Sequence, residues 1–358
     1  MDTRDNETER LNPSKPMLAQ AHLKFDSRTQ LIIIGIIIMA ASVPTRLGQV
    51  NGAGANDALF LKMYAGMVLA AFTRKNQFES RAFIKTITAG KSASFPAIGR
   101  STAAYHTVGS ELTGNAINQN EVIITTDGQL VAHEFVAEWD ELVNHFETQS
   151  IIAAEQGKAL ATLQDEHLLI ELYNGSQAAA TVTGLAGGST ITDANLISAT
   201  DTTRVQALID AFRVSAQTLD ENDAPDEGRF AVLRPIDYYL LVNTAQTNGF
   251  SAINADFKGE GSLADGSIFR IDGIDIVKTN NLLASNTGTS GNYTYHNAIM
   301  TNVAGLVGVN KCVGVTKLQS IRSTRHDDPR RLGELLVSRQ VCGIKALRPE
   351  CCIALESA

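Results

Sequence analysis

The sequence contains few cysteines, and their spacing excludes two common kinds of site. All four lie after residue 311: Cys312, Cys342, Cys351 and Cys352. They form no C-x-x-C pair, and no histidine stands beside them at the spacing of a zinc site. Four cysteines in 358 residues do not make the disulfide framework of a small secreted domain. We therefore expect reduced thiols in the core, and neither a metal nor a cofactor.

Hydrophobic runs long enough to cross a membrane are also missing. The most apolar stretch is TQLIIIGIIIMAAS, residues 29–42. Its apolar part from Leu31 to Ala41 would rise about 16 Å as a helix, roughly half of a hydrocarbon core. An export signal is disfavoured by a long leader that carries Asp2, Asp5, Glu7 and Glu9. A buried or edge strand stays open as an alternative, and we expect no membrane partner.

An excess of basic residues is absent as well. The net charge of −8 and the isoelectric point near 5.4 exclude a protein that coats nucleic acid, although an acidic protein can enclose DNA. The charges are unevenly spread, because cations dominate from Arg74 to Arg100 and acids crowd residues 220–227. This pattern is compatible with association between copies of the chain and equally with a solvated basic arm.

Complete catalytic motifs are also missing. The stretch AGKSA contains Gly90-Lys91-Ser92, the end of a phosphate loop, but Lys85 stands where that motif requires its first glycine. Glu141 and His145 lie one helical turn apart and could ligate a metal, but no second histidine supports such a site. An ion pair on a helix is the better interpretation of this spacing. No G-x-S-x-G elbow occurs. The alternative of an α+β nucleotide-binding enzyme therefore depends on Gly90-Lys91-Ser92 alone.

The first half of the chain shows helical and strand patterns in turn. A helix is predicted from Asp57 to Asn76 by apolar residues at helical spacing. Short β-like runs follow up to Val136, and Asp127-Gly128 is a hairpin signal, which together predict a long β-arm. A stretch without proline then predicts one long buried helix near Glu147–Tyr173, preceded by a shorter one.

Strands and helices alternate in the second half. We predict a helix near Thr203–Leu219, a strand at RFAVL and a helix that begins at Pro235. Further strands are predicted within residues 269–282, at AGLVGV, at VGVTKL and at ELLVSRQVCGIKAL. This alternation is typical of the α+β class.

Several short motifs resemble one known family. ALFLK (residues 58–62), AGKSASFP (89–96), GRSTAAY (99–105), NHF (144–146) and LRPE (347–350) occur in the order and spacing of the major capsid proteins of short-tailed, T-seven-like phages. The resemblance runs from about Pro44 to the C-terminus. It is most specific between Asp57 and Tyr105.

The resemblance implies the Hong Kong 97 type capsid fold and a structural role rather than an enzymatic one. Subunits of this kind form pentamers and hexamers of an icosahedral shell in the bacterial host cytoplasm. They use a scaffolding protein and a portal protein, and the virion shell encloses double-stranded DNA. The implied parts are an N-terminal extension (1–38), an N-terminal arm with a helix (39–79), an extended loop or β-hairpin arm (80–136), a peripheral domain with a spine helix (137–194), an axial domain (195–309) and returning peripheral strands (310–358). A cellular cargo compartment with the same fold is disfavoured because the motifs match phages.

The resemblance also assigns residues. We expect Lys85, Lys91, Phe95 and Arg100 of the extended loop to act between subunits, because a basic hairpin with an exposed aromatic has little core of its own. The N-terminal arm is expected to pack through Leu59, Phe60, Met63 and Met67. No asparagine follows Asn310, so a lysine of the loop lacks the partner with which the Hong Kong 97 phage crosslinks its shell.

The family pattern has no counterpart for residues 1–38, and it does not account for the cysteines of CGIKALRPECC. We expect the mature subunit to begin at or just after Met39, where the small Ala40 follows and permits removal of the initiator. Two alternatives stay open for LIIIGIII: a strand added to a neighbour's sheet edge, and a signal or anchor.

Overall fold

The computed structural model describes residues 68–72, 75–112, 114–143, 148–244, 270–282 and 295–358. The expectations for LIIIGIII, for the Met39 start and for Leu59, Phe60, Met63 and Met67 lie outside the described residues. The predicted helix at 57–76 is described at 68–72, 75 and 76, and it is helical at all of these except Asn76. Across the described ranges no helix is both long enough and apolar enough to span a membrane.

The elements are numbered in chain order. The strands are β1 (Phe83–Thr86), β2 (Ser92–Ile98), β3 (Gln119–Thr125), β4 (Leu130–Ala137), β5 (Ser189–Thr192), β6 (Arg229–Leu233), β7 (Arg270–Ile271), β8 (Ile274–Lys278), β9 (Val303–Val309), β10 (Val313–Asp328), β11 (Gly333–Ala346) and β12 (Cys352–Glu356). The helices are α1 (Glu138–Val143), α2 (Thr148–Ser176), α3 (Asp201–Glu221) and α4 (Pro235–Thr244), and short 3-10 turns lie at Glu79–Arg81, Ala194–Ile197 and Pro349–Cys351.

One sheet has four strands in the order β1-β10-β11-β4. β10 and β11 form a long antiparallel pair, β4 adds antiparallel to β11, and β1 adds parallel to β10. Helix α2 packs across β11 and β4, and its Gln156 amide donates to the Leu336 carbonyl at 3.2 Å. The predicted long buried helix is confirmed, since Leu160, Ala161 and Leu168 are buried.

The second sheet has six strands in the order β5-β12-β9-β6-β8-β7. Its centre is covered on both faces, because every residue of β6 and β9 is buried. The helices α3 and α4, which begin close to the predicted positions, share its core with the C-terminal half of α2. The class is α+β, as predicted.

A separate two-stranded hairpin is formed by β2 and β3, which pair from Ser92 with Thr125 to Ile98 with Gln119. The hairpin signal at Asp127-Gly128 was wrong. These residues join β3 to β4, but β3 pairs with β2 and β4 pairs with β11 in another sheet. The β-like region 80–136 therefore contributes its two ends to the four-stranded sheet, and its middle forms the hairpin. The terminal strands divide similarly, since β12 joins the six-stranded sheet.

All four cysteines are free and buried, as predicted. Cys351 and Cys352 belong to the main core, Cys352 as the first residue of β12, and burial raises the pKa of the Cys351 thiol to about 12. Such thiols stay protonated and unreactive at neutral pH.

Candidate assembly surface

The base of the β2–β3 hairpin has a small core of its own. Phe95 is buried with Ala93 and Ile124, and its ring meets the edge of Phe83 at a centroid distance of 5.8 Å. The premise that this aromatic is exposed was therefore wrong. Exposed and buried residues alternate along β2 from Ser92 to Pro96, and Phe83 of β1 and Leu347 after β11 cover the face that carries Phe95. A contact of Phe95 with a neighbouring subunit stays a prediction.

Lys85 folds back onto the same hairpin. Its Nζ donates to the Ser94 carbonyl at 3.1 Å and lies 4.9 Å from the centre of the Phe95 ring. This places a cation over an aromatic face within one chain. The described contacts of Lys85 thus hold β1 against β2.

Gly90 and Lys91 lie in the turn between β1 and β2, and Ser92 follows as the first residue of β2. Gly90 has φ +98°, a value that favours glycine, and the Lys91 carbonyl accepts the Thr126 amide at 2.7 Å. Ser92 begins a strand, whereas a phosphate loop leads into a helix whose N-terminus faces the phosphate. The geometry therefore gives the nucleotide-binding hypothesis no support. The Lys91 side chain is exposed at this turn.

Arg100 ties the hairpin to the acidic loop after α3. Its guanidinium pairs with Asp223 and donates to the Asn222 carbonyl at 2.9 Å. Two other acids nearby, Asp220 in the last turn of α3 and Asp226 in that loop, bind Arg229 at 2.6 and 2.8 Å. The basic arm and the acidic loop therefore meet within one chain, so their opposite charges alone do not indicate association between copies.

A groove of about 780 Å³ lies between the hairpin and this loop. Phe95, Pro96 and Ile98 line it on the hairpin side, and Pro225 and Cys351 on the other. Two further hydrogen bonds hold the hairpin along the edge of the groove. The side-chain amide of Asn118 donates to the Thr183 carbonyl at 3.2 Å, and that of Asn120 donates to the Thr181 carbonyl at 2.7 Å.

The hairpin tip is the surface that the sequence did not predict. The loop between β2 and β3 leaves Tyr105 and Val108 fully exposed and Leu112 79% exposed. A single soluble chain rarely presents three large apolar side chains within one loop. One sequence signal could have indicated this exposure. Tyr105, Val108 and Leu112 lie in a stretch rich in Gly, Ser and Thr, whose apolar residues follow neither the spacing of a strand nor that of a helix.

A second exposed apolar pair lies at the far end of the four-stranded sheet. Trp139 is 74% and Leu332 is 70% exposed, and the Glu138 amide donates to the Leu332 carbonyl at 3.1 Å. Among the described residues no cluster of three or more His, Cys, Asp or Glu could hold a metal ion. The side chains of Glu141 and His145 lie outside the described residues.

Comparison with known proteins identifies the family. Residues 94–356 match the family model described as Gp10A-like major capsid protein, a range that includes the six-stranded sheet, most of the hairpin and the four-stranded sheet without β1. The chain belongs to this capsid protein family. Because the family is structural, the hypothesis of a nucleotide-binding enzyme has no support from the comparisons either.

Individual capsid proteins agree with this assignment. The chain is 28% identical over 323 residues to the major capsid protein of Escherichia phage T7. This alignment covers 84% of the chain and 92% of the relative. The capsid structure of cyanophage P-SCSP1u matches with a TM-score of 0.69 at 34% identity, over 88% of this chain and 98% of that one. The mature capsid of bacteriophage PhiM1 matches in fold, with a TM-score of 0.67 at 17% identity over 79% and 87% of the two chains.

This capsid protein therefore has the Hong Kong 97 type fold, and its role is that of a major capsid protein of tailed phages. The two sheets, α2 and the hairpin are parts of a shell subunit. The exposed apolar residues of the hairpin tip are thus surface that assembly can cover.

Proposed function

We propose that this capsid protein assembles as pentamers and hexamers into an icosahedral shell that encloses packaged double-stranded DNA. Closed shells arise when one chain repeats the same few contacts under symmetry. The observation that carries the proposal is the apolar hairpin tip, formed by Tyr105, Val108 and Leu112. Assembly then takes place in the host cytoplasm on a scaffolding protein and around a portal protein.

The domain boundaries belong to the same proposal. Residues 39–79 form the N-terminal arm, 80–136 the extended loop, 137–194 and 310–358 the peripheral domain, and 195–309 the axial domain. The sheet pairing favours a narrower projecting loop, between Ser92 and Thr125, because β1 and β4 pair within the four-stranded sheet. We propose that Lys91 and Arg100 also contact a neighbouring subunit, and Arg100 then shares or exchanges its partner Asp223.

The experiment removes the apolar tip without touching the hairpin core. A triple variant, Tyr105→Ser, Val108→Ser and Leu112→Ser, is coexpressed with the scaffolding protein, and particle yield is measured by sedimentation and electron microscopy. The matched control replaces exposed polar residues of the same loop: Ser101→Ala, Thr107→Ala and Glu111→Ala. We expect at least a tenfold loss of particles for the apolar variant, unchanged subunit melting, and normal yields for the control. Normal particle yield from the apolar variant would contradict the proposal.

A further inference from the structure

Three separate parts of the subunit meet at one buried histidine. His296 lies in the segment that leads into β9 and is only 3% exposed. Its Nε2 lies 2.7 Å from Asp127 Oδ2, in the connection between β3 and β4, and its Nδ1 lies 3.1 Å from Glu171 Oε1 in α2. The imidazole therefore bridges three parts of the molecule: the connection that follows β3, which we call the root of the hairpin, the long helix α2, and the segment that leads into the six-stranded sheet.

The geometry favours a protonated ring when both acids are ionised. Carboxylates only accept hydrogen bonds, and a neutral imidazole has one donor nitrogen, so its other nitrogen would aim a lone pair at a carboxylate. The imidazolium donates to both partners and balances part of their charge. Burial opposes the charge and lowers the pKa of His296, but hydrogen bonds and charges from Asp127 and Glu171 outweigh burial and raise the pKa from 6.5 to about 9.

Other titratable and polar groups also lie around the site. From α2, the ring of His167 lies 4.7 Å from that of His296, and Asn174 donates to Glu171 at 3.1 Å. From β11, the Cys342 carbonyl accepts the Asp127 amide at 3.0 Å, and burial raises the pKa of its thiol to about 12. Two neighbours complete the surroundings: Tyr295 covers Gly128, and Lys317 of β10 pairs with Glu79.

We propose that protonated His296 is a pH-sensitive latch, which holds the root of the hairpin on α2 and on the segment before β9, and that loss of its proton releases the root. The proposal concerns the folded subunit and stands whether or not the hairpin tip contacts a neighbour. Because the folded pKa lies above the unfolded one, the stabilisation is complete below about pH 6.5 and disappears as the pH rises through about 9.

Hydrogen exchange of the full-length subunit tests the latch. Exchange of peptides from residues 119–130 is measured between pH 7.5 and 10 and corrected for the intrinsic rate. We expect the wild type to lose protection on the order of tenfold across this range, since the closing equilibrium follows the protonation of His296. His296→Gln should exchange rapidly at every pH, without the step. The matched control His133→Gln, on the exposed part of β4, should behave as the wild type does.

A second variant keeps the test decisive if His296→Gln does not fold. Glu171→Gln retains an oxygen for Nδ1 but removes one charge, so the midpoint of the step should move to lower pH by about one unit or more. A wild type without a step, or the same step in Glu171→Gln or in a folded His296→Gln, would overturn the proposal.

Discussion

At the scale of single residues, one aromatic ring stabilises the base of the hairpin. Phe95 fills the space between Ala93, Ile124 and the edge of Phe83. Its neighbours come from β1, β3 and the residues after β11, which meet only in the folded chain. The ring therefore packs these separate segments against the hairpin.

We expect Phe95→Ala to lower the free energy of unfolding by about 3–5 kcal/mol, because it leaves a cavity in the hairpin core. Ile98→Ala, on the exposed part of the same strand, should change it by less than about 0.5 kcal/mol. Urea unfolding of the full chain measures both. Equal effects of the two substitutions would contradict a hairpin core within the chain.

Asp165 gives a second prediction at this scale. Its carboxylate is buried in α2 and accepts the amides of Gln77 and Phe78 at 3.0 and 3.4 Å. Burial raises the pKa of this carboxyl from 3.8 to about 6, although the hydrogen bonds from Gln77 and Phe78 lower it. As the pH falls, Asp165 therefore takes up its proton near pH 6 in the folded chain but only near pH 4 in the unfolded chain.

The stability of the wild type relative to Asp165→Asn should therefore rise as the pH falls. Between pH 7.5 and 5 we expect a relative gain of about 1 kcal/mol, measured by unfolding at each pH. Asp201→Asn removes an exposed carboxyl and serves as the control. A difference between wild type and Asp165→Asn that does not change with pH would refute the assignment.

At the scale of elements, the sequence predicted those whose pattern is local. Within each of these segments the spacing of apolar residues is enough to predict a helix or a strand. They are the long helix α2, the helices α3 and α4, and the strands β6, β9 and β11. Strand pairing was predicted less well, because Asp127-Gly128 signals a hairpin while β4 pairs with a strand some 200 residues away. The contact of Arg100 with Asp223 was missed for the same reason, since it joins residues 123 positions apart.

Gly157 in α2 tests how closely elements pack. A Cβ at this position would lie 2.5 Å from the Val68 carbonyl and 2.7 Å from the Ala71 Cβ. Alanine favours a helix over glycine by about 1 kcal/mol, but here the added methyl group collides with the helical residues 68–72. We expect Gly157→Ala to destabilise the subunit by about 1–3 kcal/mol and to increase exchange at 68–72. Lys158→Ala changes an exposed residue of the same turn and should neither destabilise the subunit nor increase exchange at 68–72. Equal effects of Gly157→Ala and Lys158→Ala would contradict the close packing at Gly157.

At the scale of the whole molecule, the shell is expected to hold together without covalent links. No asparagine follows Asn310, and the Lys85 side chain is bound to Ser94 within its own chain. The four cysteines are buried and free. Boiled particles should therefore give one monomer band on a reducing gel, whereas a ladder of higher bands would contradict this expectation.

The central claim is that this chain builds a closed shell through repeated contacts of a Hong Kong 97 type subunit. Cryo-electron microscopy of particles from cells that coexpress the full chain and the scaffolding protein tests it most directly. We predict an icosahedral shell of pentamers and hexamers, in which the loop between β2 and β3 lies against a neighbouring subunit and covers Tyr105, Val108 and Leu112. Discrete monomers or small oligomers, or a shell in which this tip projects freely into solvent, would contradict the account.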